Sequence, residues 1–512
     1  MHHNVETLLS LLVIATMVAM LVRYINLPYT VMLVLGGLVL GLLHYLPEVR
    51  MTPEIVMMIF LPVLLFEASI NIEYSHLKAD LPSILTFAGP GVLIALLVTA
   101  TCMHFGVGFP WPVALLFGAM IVATDPVSVL AIFKKLGVPP RLTAVVEGES
   151  LFNDGTAIVA FQIVLAVVLT GHFSVFESVQ KFLLICLGGL AVGLVIGYAA
   201  IALLEKIDDH LLELMITTVL AYGTYLIAES LHVSGVIAVV TAGIMVGNLG
   251  WERAMSPTTR VAVATFWEFA AFVCNSLIFL LIGLQIHLGE LREFAPMIGV
   301  GILALFAGRM LAIYPLAALM NGAFKAGLPW KWTHILVWGN LKGALSMALV
   351  MSLPADLPYR RELLVTLFGV VLFSLLIPGT SMGGLLKLLH IGKPDESVTR
   401  FEELQGKLLG LRASLRELEL LFAQGRMPSG LFDEQKHRLE LLSTGVEQEL
   451  STLKEAHPEL GQRQSGLIFR HLLATQKSAY KEAFRSGLLS ESTAQSLIRQ
   501  TNEELEGLEH ES

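Results

Sequence analysis

Charge is what this chain of 512 residues has least of: Asp, Glu, Lys and Arg make up 15% of it, against about 25% in a typical soluble domain. With 55% hydrophobic residues and a mean hydropathy of +0.72, it is too apolar for a single soluble enzyme. A basic surplus is also lacking, since 33 Lys and Arg face 42 Asp and Glu, a net charge of −9. That excludes a nucleic-acid binder driven by phosphate contacts. Cysteine is scarce, and Cys102, Cys186 and Cys274 each sit inside an apolar run without C-x-x-C spacing. Neither a disulfide framework nor a thiolate metal site is expected, and all three read as small buried hydrophobes. The 15 histidines show no H-x-x-x-H spacing that would suggest a transition metal. There is no G-x-x-x-x-G-K-[ST] loop, so ATP drive is not expected. The first residues, MHHNVETLL, carry no Lys or Arg before the apolar stretch, so this segment is read as part of the fold and not as a cleaved signal peptide.

The charge that is present is unevenly placed. Residues 1–392 hold 40 charged side chains, about a tenth of their number, whereas residues 393–512 hold 35, nearly a third. The first part suits hydrocarbon and the second suits water, which sets the two expected domains, 1–392 and 393–512. A bilayer core of ~30 Å needs ~20 mostly apolar residues per helix. Thirteen stretches qualify: 7–22, 27–46, 55–70, 83–104, 112–133, 144–170, 182–204, 211–230, 233–250, 261–286, 296–320, 332–353 and 362–386. Orientation follows from the basic residues of short loops. With the polar tail cytoplasmic, the inner loops carry Arg23, Lys78, Lys134, Lys135, Arg141, Lys206, Arg253, Arg260, Lys325 and Lys331. The outer loops then carry only Arg50, Lys181, Arg292, Arg360 and Arg361, so the tail is placed in the cytoplasm.

That tail is patterned. Phe401, Leu404, Leu408, Leu411, Leu415, Leu418 and Phe422 alternate spacings of three and four, a heptad seam, and Leu439, Leu442, Val446, Leu450 and Leu453 mark a second helix. Similar helix starts at Ser429-Gly430-Leu431-Phe432-Asp433 and Ser486-Gly487-Leu488-Leu489-Ser490 predict Asp433 and Ser490 as N-caps. A small helical bundle that stabilises or dimerises the protein accounts for the pattern.

An ionisable side chain at mid-membrane costs at least ~2.5–3.5 kcal/mol, so each one within a span marks a candidate site. These are Glu67 in span 3, Asp125 in span 5, Glu147, Glu149 and Asp154 in span 6, Glu213 and Glu229 in span 8, Glu268 in span 10, Arg309 in span 11 and Lys342 in span 12. Glu213 and Glu229 fall near the ends of their span, within reach of the headgroups.

Two spans carry breaks. In MIVATDPVSVLAIF, Pro126 removes an N–H and its ring clashes with the preceding turn. Asp125 beside it either holds an unwound crossing together, at a helix N-terminus that favours an anion, or touches an ion directly. In WGNLKGALSMAL, Gly339 and Gly343 weaken the helix around Lys342. The broken spans lie seven apart, the offset expected if spans 1–6 and 8–13 are inverted repeats, and such a matched pair points to a transporter's substrate site. Span 6 carries EGESLFNDGTA, in which Glu147, Ser150 and Asp154 share a helix face and Glu149 and Asn153 share another. A face of carboxylate and hydroxyl suits a small hard cation. Glu149 is expected in a structural ion pair with Lys342 or Arg309, because buried charges are usually paired.

These residues resemble a sodium/proton antiporter of the NhaP and sodium–hydrogen exchanger family. The matching stretches are FLPVLLFEAS at 60–69, ATDPVSV at 123–129, EGESLFND at 147–154, FWEFAAFVCNSLIFLLIG at 266–283 and GNLKGALSMAL at 339–349. The resemblance implies an all-α membrane protein with thirteen transmembrane helices, inverted repeats, two broken crossing helices, a homodimer and no cofactor. It implies that Asp154 binds the cation or the proton, with Ser150, Glu67 and the Thr124 carbonyl nearby and Asp125 at the crossing. Asn153 is then the neutral partner of Asp154, and Glu149 pairs with the basic residue of span 12. The sequence departs from the family where Lys342 replaces the usual Arg and where one proline, Pro62, stands for two. Lysine is a point charge and not a fork, which also makes Lys342 a candidate proton carrier.

The expected activity is electroneutral exchange of sodium, lithium or potassium for a proton. A carboxylic acid held away from water resists ionisation, so Asp154 can hold a proton near neutral pH until a cation displaces it. A carrier of organic anions would need cations beyond Lys342 and Arg309, and an intramembrane protease would need a G-x-G-D, H-E-x-x-H or Ser/His arrangement that is missing. A sensor that no longer transports would not need the intact acidic set. The expected setting is a multi-pass protein of the cell membrane, handling a monovalent cation and a proton, with no nucleic acid.

Overall fold

The computed structural model describes residues 2–22, 28–43, 53–72, 74–207, 209–251, 254–255, 257–285, 288–324, 327–392 and 396–458, with shorter pieces between 461 and 501. Among the described residues there is no strand. The loop residues Arg23, Arg50, Arg253 and Lys325, used above for orientation, lie outside them. The chain divides into two compact units, Met1–Gly392 and Lys393–Ser512.

In the first unit each of the thirteen apolar stretches contains helix among its described residues, with breaks inside 112–133 and 332–353. The helices are α1 (His2–Val22), α2 (Tyr29–Leu43), α3 (Pro53–Asn71), α4 (74–107), α5 (Trp111–Ile121), α6 (Val127–Leu136), α7 (Pro140–Thr170) and α8 (Val175–Leu204). They continue as α9 (His210–Ser230), α10 (Gly235–Gly250), α11 (Pro257–Leu284), α12 (Leu288–Glu293), α13 (Ala295–Ala323), α14 (Trp330–Trp338), α15 (Ala344–Met351) and α16 (Arg360–Leu388). Among the described residues, eight helices are long and apolar enough to cross a membrane, and four shorter apolar ones accompany them.

Local sequence sets the helix starts. Asp209 caps α9 by accepting from the Leu211 and Leu212 N–H groups at 2.9 and 3.1 Å, and Ser234 caps α10 through Ile237 N–H at 3.3 Å. Pro140 sits at the first turn of α7, where a missing N–H leaves no helix bond unmade. π turns at Val56–Phe60 in α3 and Phe87–Gly91 in α4 adjoin or contain Pro62 and Pro90. The extra residue in such a turn relieves the clash of a proline ring with the preceding turn.

Packing follows the small residues. The backbones of α2 and α11 meet at Gly37 and Gly283, where an added Cβ would lie 2.2 Å from Leu280 O and 2.1 Å from Val34 O respectively. Such contact lets two helices gain dispersion energy that lipid cannot match. α13 lies along α4, and α10 packs against both α3 and α8. The outer face of α8 presents Leu184, Leu187, Val195 and Tyr198 to the surroundings, a patch that belongs in hydrocarbon and not in water. All three cysteines are free; Cys274 is buried, whereas Cys102 and Cys186 are only half-buried.

The second unit contains a hairpin of α17 (Glu396–Ala423) and α18 (Ser429–Ala456). Phe401, Leu404 and Leu450 form its buried seam, with Leu408, Val446 and Leu453 packed against them. Arg400 and Arg412 reach across to Glu449 and Glu447 at 2.8 and 3.0 Å. The seam differs from the heptad reading at Phe422 and Leu442, which are 41% and 49% exposed. Asp433 is not an N-cap: α18 begins one turn earlier, with Pro428 in the cap position, so Asp433 lies inside the helix. Ser490 does accept from the Thr493 N–H at 3.4 Å, as a cap would, while Ser486 and Gly487 lie outside the described residues.

Candidate functional site

Between α5 and α6 the backbone is unwound over residues 122–126, and between α14 and α15 over 339–343. The two gaps cross. Asp125 N–H donates to Leu341 O at 2.9 Å, and Asp125 Oδ1 accepts from Val127 N–H at 3.1 Å in the first turn of α6. A helix start favours an anion there because its N–H groups are free. Gly343 is required by space: an added Cβ would fall 1.9 Å from Asp125 Oδ2.

The carbonyls freed at the end of α5 are met by Lys342, whose side chain is fully buried. Its Nζ donates to Asn340 Oδ1 at 2.6 Å, Ala123 O at 2.8 Å and Val122 O at 3.3 Å. A cation at a helix C-terminus satisfies both the orphan acceptors and the helix dipole.

α7 runs past this crossing. Ser150 Oγ donates to Thr124 O at 2.6 Å. Asn153 Nδ2 reaches Val122 O, Thr124 Oγ1 and Glu149 Oε1 at 3.1, 3.0 and 3.2 Å. Asn153 thus braces the unwound strand and makes no hydrogen bond to the neighbouring Asp154 carboxylate. Glu149 is held by Arg309 from α13 in a two-pronged pair, both N–H···O distances being 2.8 Å. Arg309 Nε also donates to Leu336 O at 3.2 Å. The pairing of Glu149 with Lys342 implied by the resemblance is therefore corrected: the planar fork of Arg309 matches both carboxylate oxygens, and the Lys342 ammonium is engaged by carbonyls.

Asp154 lies next on α7, in electrostatic range of Asp125 and Lys342. Its Oδ1 is shut from solvent and has no hydrogen-bond partner among the described residues. Asp154, Ser150 Oγ, Thr124 O and Asp125 offer only oxygen atoms, the donor type that a hard cation takes. The Glu67 carboxylate accepts from Asn71 Nδ2 at 3.0 Å and lies in electrostatic range of Glu147 and Glu268. Glu229 is exposed at the end of α9, as its position suggested, but Glu213 is 1% exposed and faces inward instead of outward to headgroups. Asn340 was not singled out from the sequence; its place between Gly339 and Lys342 in the second break was the available signal.

Comparison with known proteins places these residues in context. Residues 9–388 match the family described as sodium/hydrogen exchanger, transmembrane. The Na(+)/H(+) antiporter NhaS2 of Synechocystis is 35% identical over 99% of this chain and 94% of its own length. The Na(+)/H(+) antiporter ApNhaP of Aphanothece halophytica is 37% identical over 95% of this chain and 94% of its own length. The solved structure of the sodium proton antiporter MjNhaP1 from Methanocaldococcus jannaschii superposes with a TM-score of 0.63 at 22% identity, over 75% of this chain and 98% of that one, and shares the fold. The chain belongs to the sodium/hydrogen exchanger family.

Proposed function

We propose that this protein exchanges a monovalent cation, sodium foremost, for a proton, one for one and without net charge movement, by competition for the Asp154 carboxylate. The observation that carries the reading is Asp154 Oδ1, a buried oxygen without a partner beside the Thr124 carbonyl that Ser150 engages. A buried carboxylate oxygen left bare is costly, so the group is neutralised either by a proton or by a cation that takes the surrounding oxygens in place of water. Asn153 contributes no second acid, Glu149 is already neutralised by Arg309, and Asp125 is engaged by the Val127 N–H at the start of α6. One carboxylate therefore changes occupant per cycle, which gives electroneutral stoichiometry. The relatives named as Na(+)/H(+) antiporters support sodium and protons as cargo.

The same reading takes the thirteen helical stretches as thirteen crossings, α5/α6 and α14/α15 being the matched broken spans of two inverted repeats. It places the protein in the cell membrane as a homodimer, with residues 393–512 forming a helical domain in the cytoplasm. The test is purified protein in liposomes carrying a pH dye, pulsed with sodium, lithium and potassium with the membrane potential free and then clamped. Sodium-driven proton flux with the same rate in both conditions is expected. Flux that generates a potential, or responds to one, contradicts electroneutrality, and the absence of cation-driven flux contradicts exchange.

A further inference from the structure

Among the described residues Lys342 is the one buried ammonium at the helix crossing, and the oxygens to which it donates are neutral. Two are main-chain carbonyls of the break, Val122 O and Ala123 O, and the third is the side-chain carbonyl of Asn340, at 3.3, 2.8 and 2.6 Å. Among the described residues no carboxylate makes a hydrogen bond or ion pair with its Nζ. Converging main-chain and amide carbonyls are the ligand type that replaces the hydration shell of a free alkali cation. A small cavity adjoins the same place, lined by Lys342, Asn340, Asn153, Arg309 and Thr99 among apolar side chains. Asn153, fully buried, also lines this cavity and has an Oδ1 with no hydrogen-bond partner, a further carbonyl oxygen available there. The positive charge of Arg309 is cancelled by its two bonds to Glu149, so it is no strong barrier to a cation at this point.

We propose that the oxygens of Val122, Ala123 and Asn340 form a second monovalent-cation site, which the protein keeps filled with its own tethered ammonium, Lys342. The site is distinct from the exchange site at Asp154. Its permanent occupant confines cargo to one cation per cycle and fixes the carbonyls of the α5 break, whose neighbour Thr124 serves the exchanged ion. Removing the side chain without filling its place opens the site to a free cation of ammonium or potassium size, since the N–H···O spacing observed suits an ammonium. This inference rests on geometry separate from Asp154 and can fail while the exchange reading stands.

The test uses the purified full-length protein carrying Asp154→Asn, which silences the exchange site, with and without Lys342→Ala. Melting temperature is recorded in choline, lithium, sodium, potassium and ammonium chlorides at matched ionic strength. Potassium and ammonium are expected to raise the melting temperature of the double variant in a saturable manner, as a ligand bound only to the folded state does, and to leave Asp154→Asn unchanged. Melting of the double variant that ignores the cation, or an equal response in Asp154→Asn alone, overturns the proposal. Lys342→Ser repeats the measurement with a side chain too short to fill the cradle. Should both truncations aggregate when extracted in choline, the proposal expects potassium or ammonium during extraction to restore monodisperse protein, and aggregation in every salt overturns it as well.

Discussion

Replacing Arg309 by methionine leaves the Glu149 carboxylate with a single side-chain donor, Asn153 Nδ2 at 3.2 Å, where it now has three. The side chains of the pair are 8% and 3% exposed, so water cannot compensate for the lost guanidinium. Breaking a buried pair by removing one partner costs about 3–5 kcal/mol, because the remaining charge is stranded. Removing both charges with Glu149→Gln and Arg309→Met is far milder, since a buried pair replaced by groups of similar volume is often neutral in its effect. Arg309→Lys falls between, because one ammonium cannot match two oxygens and loses about 1.5–3 kcal/mol of charge-assisted hydrogen bonding. The assay is thermal unfolding of purified protein in one detergent at fixed salt, read by tryptophan fluorescence and by recovery of monodisperse material, for Glu149→Gln, Arg309→Met, Arg309→Lys and the double variant. The order of stability expected is parent, double variant, Arg309→Lys, then Arg309→Met. An Arg309→Met protein as stable as its parent, or a double variant that loses the sum of the Glu149→Gln and Arg309→Met losses, would refute the claim that this pair acts as a neutral structural unit.

Two other substitutions probe the crossing. Gly343→Ala places a methyl group where Asp125 now sits, 1.9 Å from Oδ2, and should abolish exchange with a loss of stability of about 1–3 kcal/mol for overpacking, measured by dye-based flux and thermal melting; normal flux would show that the crossing opens freely. Ser150→Ala removes the donor to Thr124 O at 2.6 Å and a cation ligand together, so the sodium concentration for half-maximal flux should rise about tenfold, equivalent to roughly 1.4 kcal/mol, with little change in melting temperature; an unchanged sodium dependence would remove Ser150 from the site.

Much of this architecture could be read from residue types whose constraints are local. Pro126 and the pair Gly339 and Gly343 announce unwound backbone because a proline cannot donate and glycine weakens a helix, and both breaks fall there. Ser150 and Asp154 were placed on one face by helical periodicity alone. What periodicity could not supply was the choice of partner. Glu149 had two candidate cations, and the decision between Arg309, 160 positions away along the chain, and Lys342 depends on how α7 and α13 pack. The role of Lys342 was hidden for a related reason: its partners are main-chain carbonyls, which every residue possesses and no motif displays. In α18 the seam passes Leu442 by, leaving it 49% exposed, because a two-helix contact covers a narrower stripe than the sequence pattern offers.

The most direct test of exchange by competition is the apparent affinity of the purified protein for sodium, measured by titration across a series of pH values. A single carboxylate shared by one cation and one proton predicts that, on the acid side, affinity weakens by about tenfold for each unit fall in pH, and that Asp154→Asn binds no sodium at that site at any pH. Sodium affinity that stays constant from acid to alkaline pH, or that survives Asp154→Asn, would contradict the account at its centre.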